Sequence, residues 1–236
     1  MALQVHESVG HPTELDRVYG TEAAYAGTSF LEPSDLGSLR YGSELMNVTA
    51  DATTPGGLGT FAVDDEGVPA AREPVVADGV LTAFLSSRET AARIGAGGGG
   101  SMRAESWARM PLVRMTNLHL EPGRGTLDEL LSEVADGIYL ETNRSWSIDD
   151  KRLNFQFGTQ AAWEIKDGRL GRMLRDATYT GITPVFWASR DAVAGAETWK
   201  LPGRTNCGKG QPGQSAHVSH GAAPARFRDV EVGVRA

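Results

Sequence analysis

The chain has 236 residues, 40 % of them hydrophobic and 22 % charged, which suits an ordinary globular protein of one large domain or two small ones. A formal net charge of -7 gives nucleic acid and other polyanions no electrostatic footing. No apolar run reaches the roughly 20 residues needed to cross a bilayer. The opening residues are not a signal peptide, and the single cysteine, Cys207, cannot close an internal disulfide, so no membrane partner and a cytoplasmic setting are expected.

Taken in chain order, residues 2–10 read as a short helix with Leu3, Val5 and Val9 on its apolar side. Pro12 disfavours helical geometry at His11, so the helix is expected to end or kink there. A helix this close to a chain end is expected to fray unless something covers it. Thr13 and Asp16 suggest a capping box that opens a second helix over 14–24.

From about Glu44 the pattern turns to strands. Met46, Val48 and Ala50 alternate, and residues 60–63 precede a polar turn at Asp64-Asp65-Glu66-Gly67. Residues 74–77 and 80–85 flank Asp78-Gly79, a two-residue hairpin signal. A helical run over 87–94 leads into the glycine-rich segment 95–101, which lacks the Gly-Lys-Ser/Thr and preceding strand of a phosphate loop and is expected to be mobile.

Residues 112–120 read as strand. Residues 126–136 carry Leu127, Leu130, Leu131 and Val134 at helical spacing, a Thr126/Glu129 capping box and a Gly137 stop. Strands follow at 138–141 and 153–157, then a hairpin of 160–165 with 169–174 around Asp167-Gly168. A helix over 184–193, a glycine-rich loop over 203–213 and a last strand over 226–232 complete the chain. The fold class expected is α+β: mostly antiparallel hairpins, a few helices, and the metal motif on the N-terminal helix.

The chemistry concentrates in His6-Glu7-Ser8-Val9-Gly10-His11. Zinc proteases commonly present His-Glu-x-x-His, with both imidazoles on one helix face. Here the histidines are five apart, which on a regular helix turns the second about 140° from the first. Gly10 and Pro12 could bend the chain and bring His11 back. A catalytic zinc needs a third protein ligand and an open position. Candidates are Cys207, His119, His217, His220 and the carboxylates. Cys207 stands out because its neighbours, Thr205-Asn206 and Gly208-Lys209, offer no apolar run to bury it, and thiolate favours zinc over harder ions. His217 and His220 read as polar loop or strand residues, and His119 as the outward residue of a strand. Glu7, next to His6, is placed as general base.

These residues resemble the TldD/PmbA family of metalloproteases. Beyond the histidine motif, the same family order is seen in Ala62-Val63-Asp64-Asp65-Glu66-Gly67, the Asp78-Gly79 hairpin, Arg114-Met115-Thr116-Asn117 with Glu121-Pro122-Gly123, Asp136-Gly137-Ile138-Tyr139 and Cys207-Gly208-Lys209-Gly210-Gln211. The resemblance implies a zinc peptidase acting on unfolded or unstructured polypeptides, in peptide maturation or antitoxin turnover. It implies His6, His11 and Cys207 as ligands and Glu7 as base. It also implies a homodimer, or a heterodimer with a motif-less PmbA-type subunit. Family proteins carry a further N-terminal region of about equal length, so residues 1–236 correspond to the C-terminal metalloprotease domain. A second reading stays open, a metal-binding or partner-binding subunit that is catalytically incomplete without that region. So does a third, a fragment that does not fold cooperatively alone.

Overall fold

A computed structural model describes residues 1–234. Short helices accompany a set of antiparallel sheets, as the α+β expectation has it. The first sheet has four strands in the order Val80–Leu81, Arg72–Ala77, Val48–Asp51, Leu118–Leu120. The Asp78-Gly79 turn forms as expected: Val76 pairs with Leu81, Ala77 pairs with Val80, and both turn residues have positive φ, 47° and 79°. The second sheet is built on a long hairpin, Asp136–Ile148 against Asn154–Lys166. Ala177–Ile182 pairs with the first part of the latter strand and Arg169–Leu174 with its last part; Glu231–Val234 extends the sheet. A separate hairpin joins Gly203–Lys209 to Gln214–Ser219. Among the described residues no helix is long and apolar enough to cross a membrane.

The opening helix, expected to fray, is packed into the fold. Leu3, Val5 and Val9 are buried in the main core with Met46, Val48, Leu118, Leu120 and Trp187. Its buried polar face is satisfied as well. Gln4 Nε2 and Trp187 Nε1 donate to Ser8 Oγ, and Tyr179 donates to Gln4 Oε1. An apolar face and a closed hydrogen-bond network anchor this end within the chain itself.

Several elements depart from their sequence pattern, each where tertiary pairing overrides local preference. The helix at Thr126 has its capping box but spans only Leu127–Ser132. Beyond it, the Val134 and Ala135 carbonyls accept the Gly168 and Asp167 amides, and Gly137 lies in the long strand rather than stopping a helix. The expected strand over 112–120 is broken into Leu112–Val113 and Leu118–Leu120. Next to the break Asn117 bonds outward: its amide donates to the Asp51 carbonyl, and its oxygen accepts the Gly59 amide. Residues 60–63 form no strand; Val63 makes one isolated bridge to Pro69. The late helix ends at Ala188, and Arg190–Val193 pairs as a strand with Ala225–Phe227. The expected last strand is therefore split into Ala225–Phe227 and Glu231–Val234.

Candidate metal centre

The opening helix solves the five-residue spacing by widening rather than kinking. After the α-helical turn Ala2–Val5, residues His6–Gly10 form a π-turn, in which the His11 amide donates to the His6 carbonyl. An i→i+5 bond sets residues five apart about one turn apart, so both imidazoles emerge on one face. Their ring centroids are 4.8 Å apart, at right angles. His11 keeps helical dihedrals, φ -61° and ψ -42°, so the helix does not end there; a 3-10 turn continues to Thr13.

A π-turn disrupts the regular carbonyl pairing, and neighbouring side chains take up the slack. Tyr41 donates to the Ser8 carbonyl, and the Thr13 hydroxyl donates to the carbonyls of Val9 and Gly10 at 2.8 and 3.0 Å. With its hydroxyl committed there, Thr13 does not cap the next helix, which shrinks to Leu15–Val18. Gly10 serves close approach: a Cβ at that position would sit 2.0 Å from the Met115 sulfur.

Cys207 lies in a strand, not in an open loop, and is buried. Its Sγ is 3.8 Å from His11 Nε2. Three tethers hold the strand in place. The Arg114 guanidinium donates to the Cys207 carbonyl. Lys209, fully buried, bonds Glu14 Oε2 at 3.1 Å and Asp16 Oδ1 at 2.7 Å. The Gly210 amide donates to Glu22 Oε1. The fold therefore brings His6, His11 and Cys207 together, their ligand atoms all within 4.8 Å of one another.

The ring nitrogens turned away from this point are both occupied. His11 Nδ1 is 3.0 Å from Glu14 Oε2 and donates to it. His6 Nδ1 is 2.6 Å from His220 Nε2, while His220 Nδ1 faces the Leu118 carbonyl at 3.3 Å. The carbonyl accepts the His220 Nδ1 proton, leaving His220 Nε2 to accept from His6 Nδ1. Each of the two histidines thus presents a bare Nε2, the arrangement that second-shell partners impose on metal-binding histidines. His220, expected as a polar loop or strand residue, is a buried partner of His6. His119 is also buried, with Nε2 at 2.8 Å from the Thr54 hydroxyl and Nδ1 accepting the Gly221 amide; His217 is exposed.

Electrostatics match this use. Burial holds the His6 and His11 pKa values well below the usual histidine range, with His220, His11 and nearby arginines adding to the shift at His6 and arginines and Lys209 at His11, so both rings are neutral at pH 7. Burial pushes the Cys207 thiol up to about 11, against the pull of Arg114. Two neutral imidazoles and one thiol form a donor set suited to a transition-metal ion.

Glu7 faces the same small cleft, of about 210 Å³. Burial raises its pKa; Arg152, Arg17 and Arg204 oppose the rise. Arg152 Nη1 donates to Glu7 Oε2 at 2.6 Å. Arg152 sits at the tip of the long hairpin with φ 63°, in the left-handed region. The tip is held down by Arg17, which donates to the Asp150 carbonyl, by the Phe30 amide on the Lys151 carbonyl, and by Thr183 on the Arg152 carbonyl. Nothing in the polar run Asp149-Asp150-Lys151-Arg152 marks this role in the sequence. In the sequence the Cys207-Gly208-Lys209 run and the His217/His220 pair suggest ligation, whereas Lys209 and His220 serve here as supports.

His220→Leu removes the acceptor that orients His6. Metal affinity is expected to fall about 10- to 100-fold, the usual effect of losing such a partner. Competition with a chromophoric chelator measures it; unchanged affinity would dismiss the orienting role.

His6, His11 and Cys207 thus form a buried candidate metal-binding cluster, the two histidines on a π-turn and Glu7 lining the same cleft, in an antiparallel scaffold. Residues 2–233 match the PmbA/TldA metallopeptidase C-terminal domain, and the chain belongs to that family. A metalloprotease of Methanocaldococcus jannaschii is 35 % identical over 94 % of this chain and 46 % of its own length. A zinc metalloprotease TldD homologue of Saccharolobus solfataricus is 24 % identical over 97 % of this chain and 48 % of its own. Crystal structures share the fold: a Thermotoga maritima protein at TM-score 0.74 and 21 % identity, covering 98 % of this chain and 47 % of that one, and TldE of Thermococcus kodakarensis at 0.68 and 16 %, covering 94 % and 47 %. The chain spans about half the length of the curated relatives it matches.

Proposed function

We propose that residues 1–236 are the C-terminal catalytic domain of a zinc-dependent peptidase that hydrolyses peptide bonds in unfolded or unstructured polypeptides. Peptide maturation and antitoxin or protein turnover are the settings we assign to it, in the cytoplasm. The carrying observation is the convergence of His6, His11 and Cys207 within 4.8 Å, with Glu7 lining the same cleft. His6 and His11 through Nε2, and Cys207 through Sγ, would hold the ion. Bound there, zinc supplies Lewis acidity that polarises the scissile carbonyl and acidifies the attacking water. Glu7 accepts the water proton and passes it to the departing amine. Arg152 holds the Glu7 carboxylate by one oxygen and leaves the other for this transfer. The same reading gives the chain a partner, a second copy or a PmbA-type subunit.

Zinc uptake itself is testable through its protons. With both histidines already neutral and the thiol protonated, binding at pH 7 is expected to release about one proton per chain, from Cys207. Titration calorimetry in buffers of different ionisation enthalpy reads that number. Cys207→Ala is expected to lose the release and most of the affinity. The peptidase reading is tested by incubating zinc-loaded protein with an unstructured peptide, alone and with a PmbA-type subunit. Zinc uptake without cleavage in either case would overturn the enzyme and leave a metal-binding subunit.

A further inference from the structure

The cleft beside the metal centre is cationic in a protein whose formal net charge is -7. Its charged lining residues are Glu7, Arg152 and Arg204. Arg152 is engaged with Glu7 through one terminal nitrogen. Arg204 is different: among the described residues its guanidinium has no carboxylate within ion-pair distance and no hydrogen-bond partner. It stands half-buried on the cysteine strand, three residues before Cys207, in a bulged stretch of the hairpin. Its charge reaches His6, Glu7 and His220. A bound divalent ion would add to the positive excess, and the Cys207 thiolate would offset only part of it. An unpaired guanidinium in a concave, partly desolvated site focuses field on an incoming anion. Its planar fork matches a carboxylate.

Building on the peptidase reading, we propose that Arg204 is a specificity-determining residue that receives a substrate carboxylate within about two residues of the scissile bond. Arg204 lines the same cleft as His6, His11 and Cys207, which sets that reach. The carboxylate has two chemical sources in a peptide, an Asp or Glu side chain and the free C-terminus. Asn206, exposed on the same strand and lining the same cleft, is positioned to add a hydrogen bond to the substrate.

The test is binding without turnover. Metal-stripped full chain is titrated by fluorescence anisotropy with one labelled unstructured peptide in three forms: an acidic residue with an amidated end, a neutral residue with a free end, and neutral with an amidated end. At least one carboxylate form is expected to bind about tenfold or more tightly than the neutral form, and which one does so identifies the source. Arg204→Gln is expected to bring the ratio to about one; Arg204→Lys restores part of it. An unchanged melting temperature in both variants shows that folding is intact. Equal binding of all three forms, binding of none, or a preference that survives Arg204→Gln overturns the proposal. Because no metal and no cleavage are involved, these outcomes are independent of whether the peptidase reading holds.

Discussion

Under the proposed mechanism, Glu7→Gln is expected to bind zinc as the parent does and to lower peptide hydrolysis by about 10²- to 10⁴-fold, the range a general acid–base group contributes. The amide has the shape of the carboxylate and can still accept a hydrogen bond from Arg152, which now reaches Glu7 at 2.6 Å. Cleft geometry is therefore retained. The metal should be retained too, because Glu7 lies outside the His6/His11/Cys207 cluster. What the amide cannot do is accept a proton at neutral pH. Metal content by plasma mass spectrometry and steady-state cleavage of one peptide decide the matter together. Parent-like cleavage would remove Glu7 as base, whereas loss of zinc would mean that it helps hold the ion.

The sequence pointed to the residues of this cluster better than to the backbone that gathers them. The mismatch between a five-residue spacing and a 3.6-residue helix was legible, and so was the need for a local irregularity. Its form was not. Pro12 suggested a kink, but proline sits comfortably in the first turn of a helix, and here it lies inside a 3-10 turn that carries the helix onward. The π-turn depends on Tyr41 and Thr13 taking the freed carbonyls and on Met115 filling the space above Gly10. Tyr41 and Met115 are 33 and 107 residues from Ser8, so no local pattern contains them.

The same separation explains the misread surroundings of Cys207. Its immediate neighbours are polar, yet it is buried, because burial is supplied from elsewhere in the chain by the metal helix and Arg114. Hairpins signalled by Asp-Gly turns were legible because the turn chemistry is local. Strand lengths were not: Asn154–Lys166 is one strand across two expected ones, since its partners on both sides lie outside any short window.

Lys209→Met should destabilise the fold by ~3–5 kcal/mol, the cost of stripping one partner from a buried charge cluster. Lys209 is fully buried, and burial opposes its charge, but Glu14, Asp16 and Glu22 outweigh that and hold its pKa above the usual lysine value. Methionine fills the space without an ammonium, leaving the Glu14 and Asp16 carboxylates facing each other. Burial already raises Asp16 even with Lys209 beside it, and the variant raises it further. A carboxyl whose folded pKa exceeds its unfolded value stabilises the fold at low pH and loses that contribution as pH rises through the folded pKa. The deficit of the variant should therefore be smaller near pH 5 than near pH 8. It should also reach the metal centre. Residues two apart on a strand point to the same face, so the Lys209 side chain anchors the face that carries Cys207, and Glu14 also orients His11. Urea unfolding at the two pH values and a zinc competition titration on the same preparations measure both effects. A deficit independent of pH would place the loss in packing rather than charge, and parent-like zinc affinity would show that the cysteine strand holds its position without this anchor.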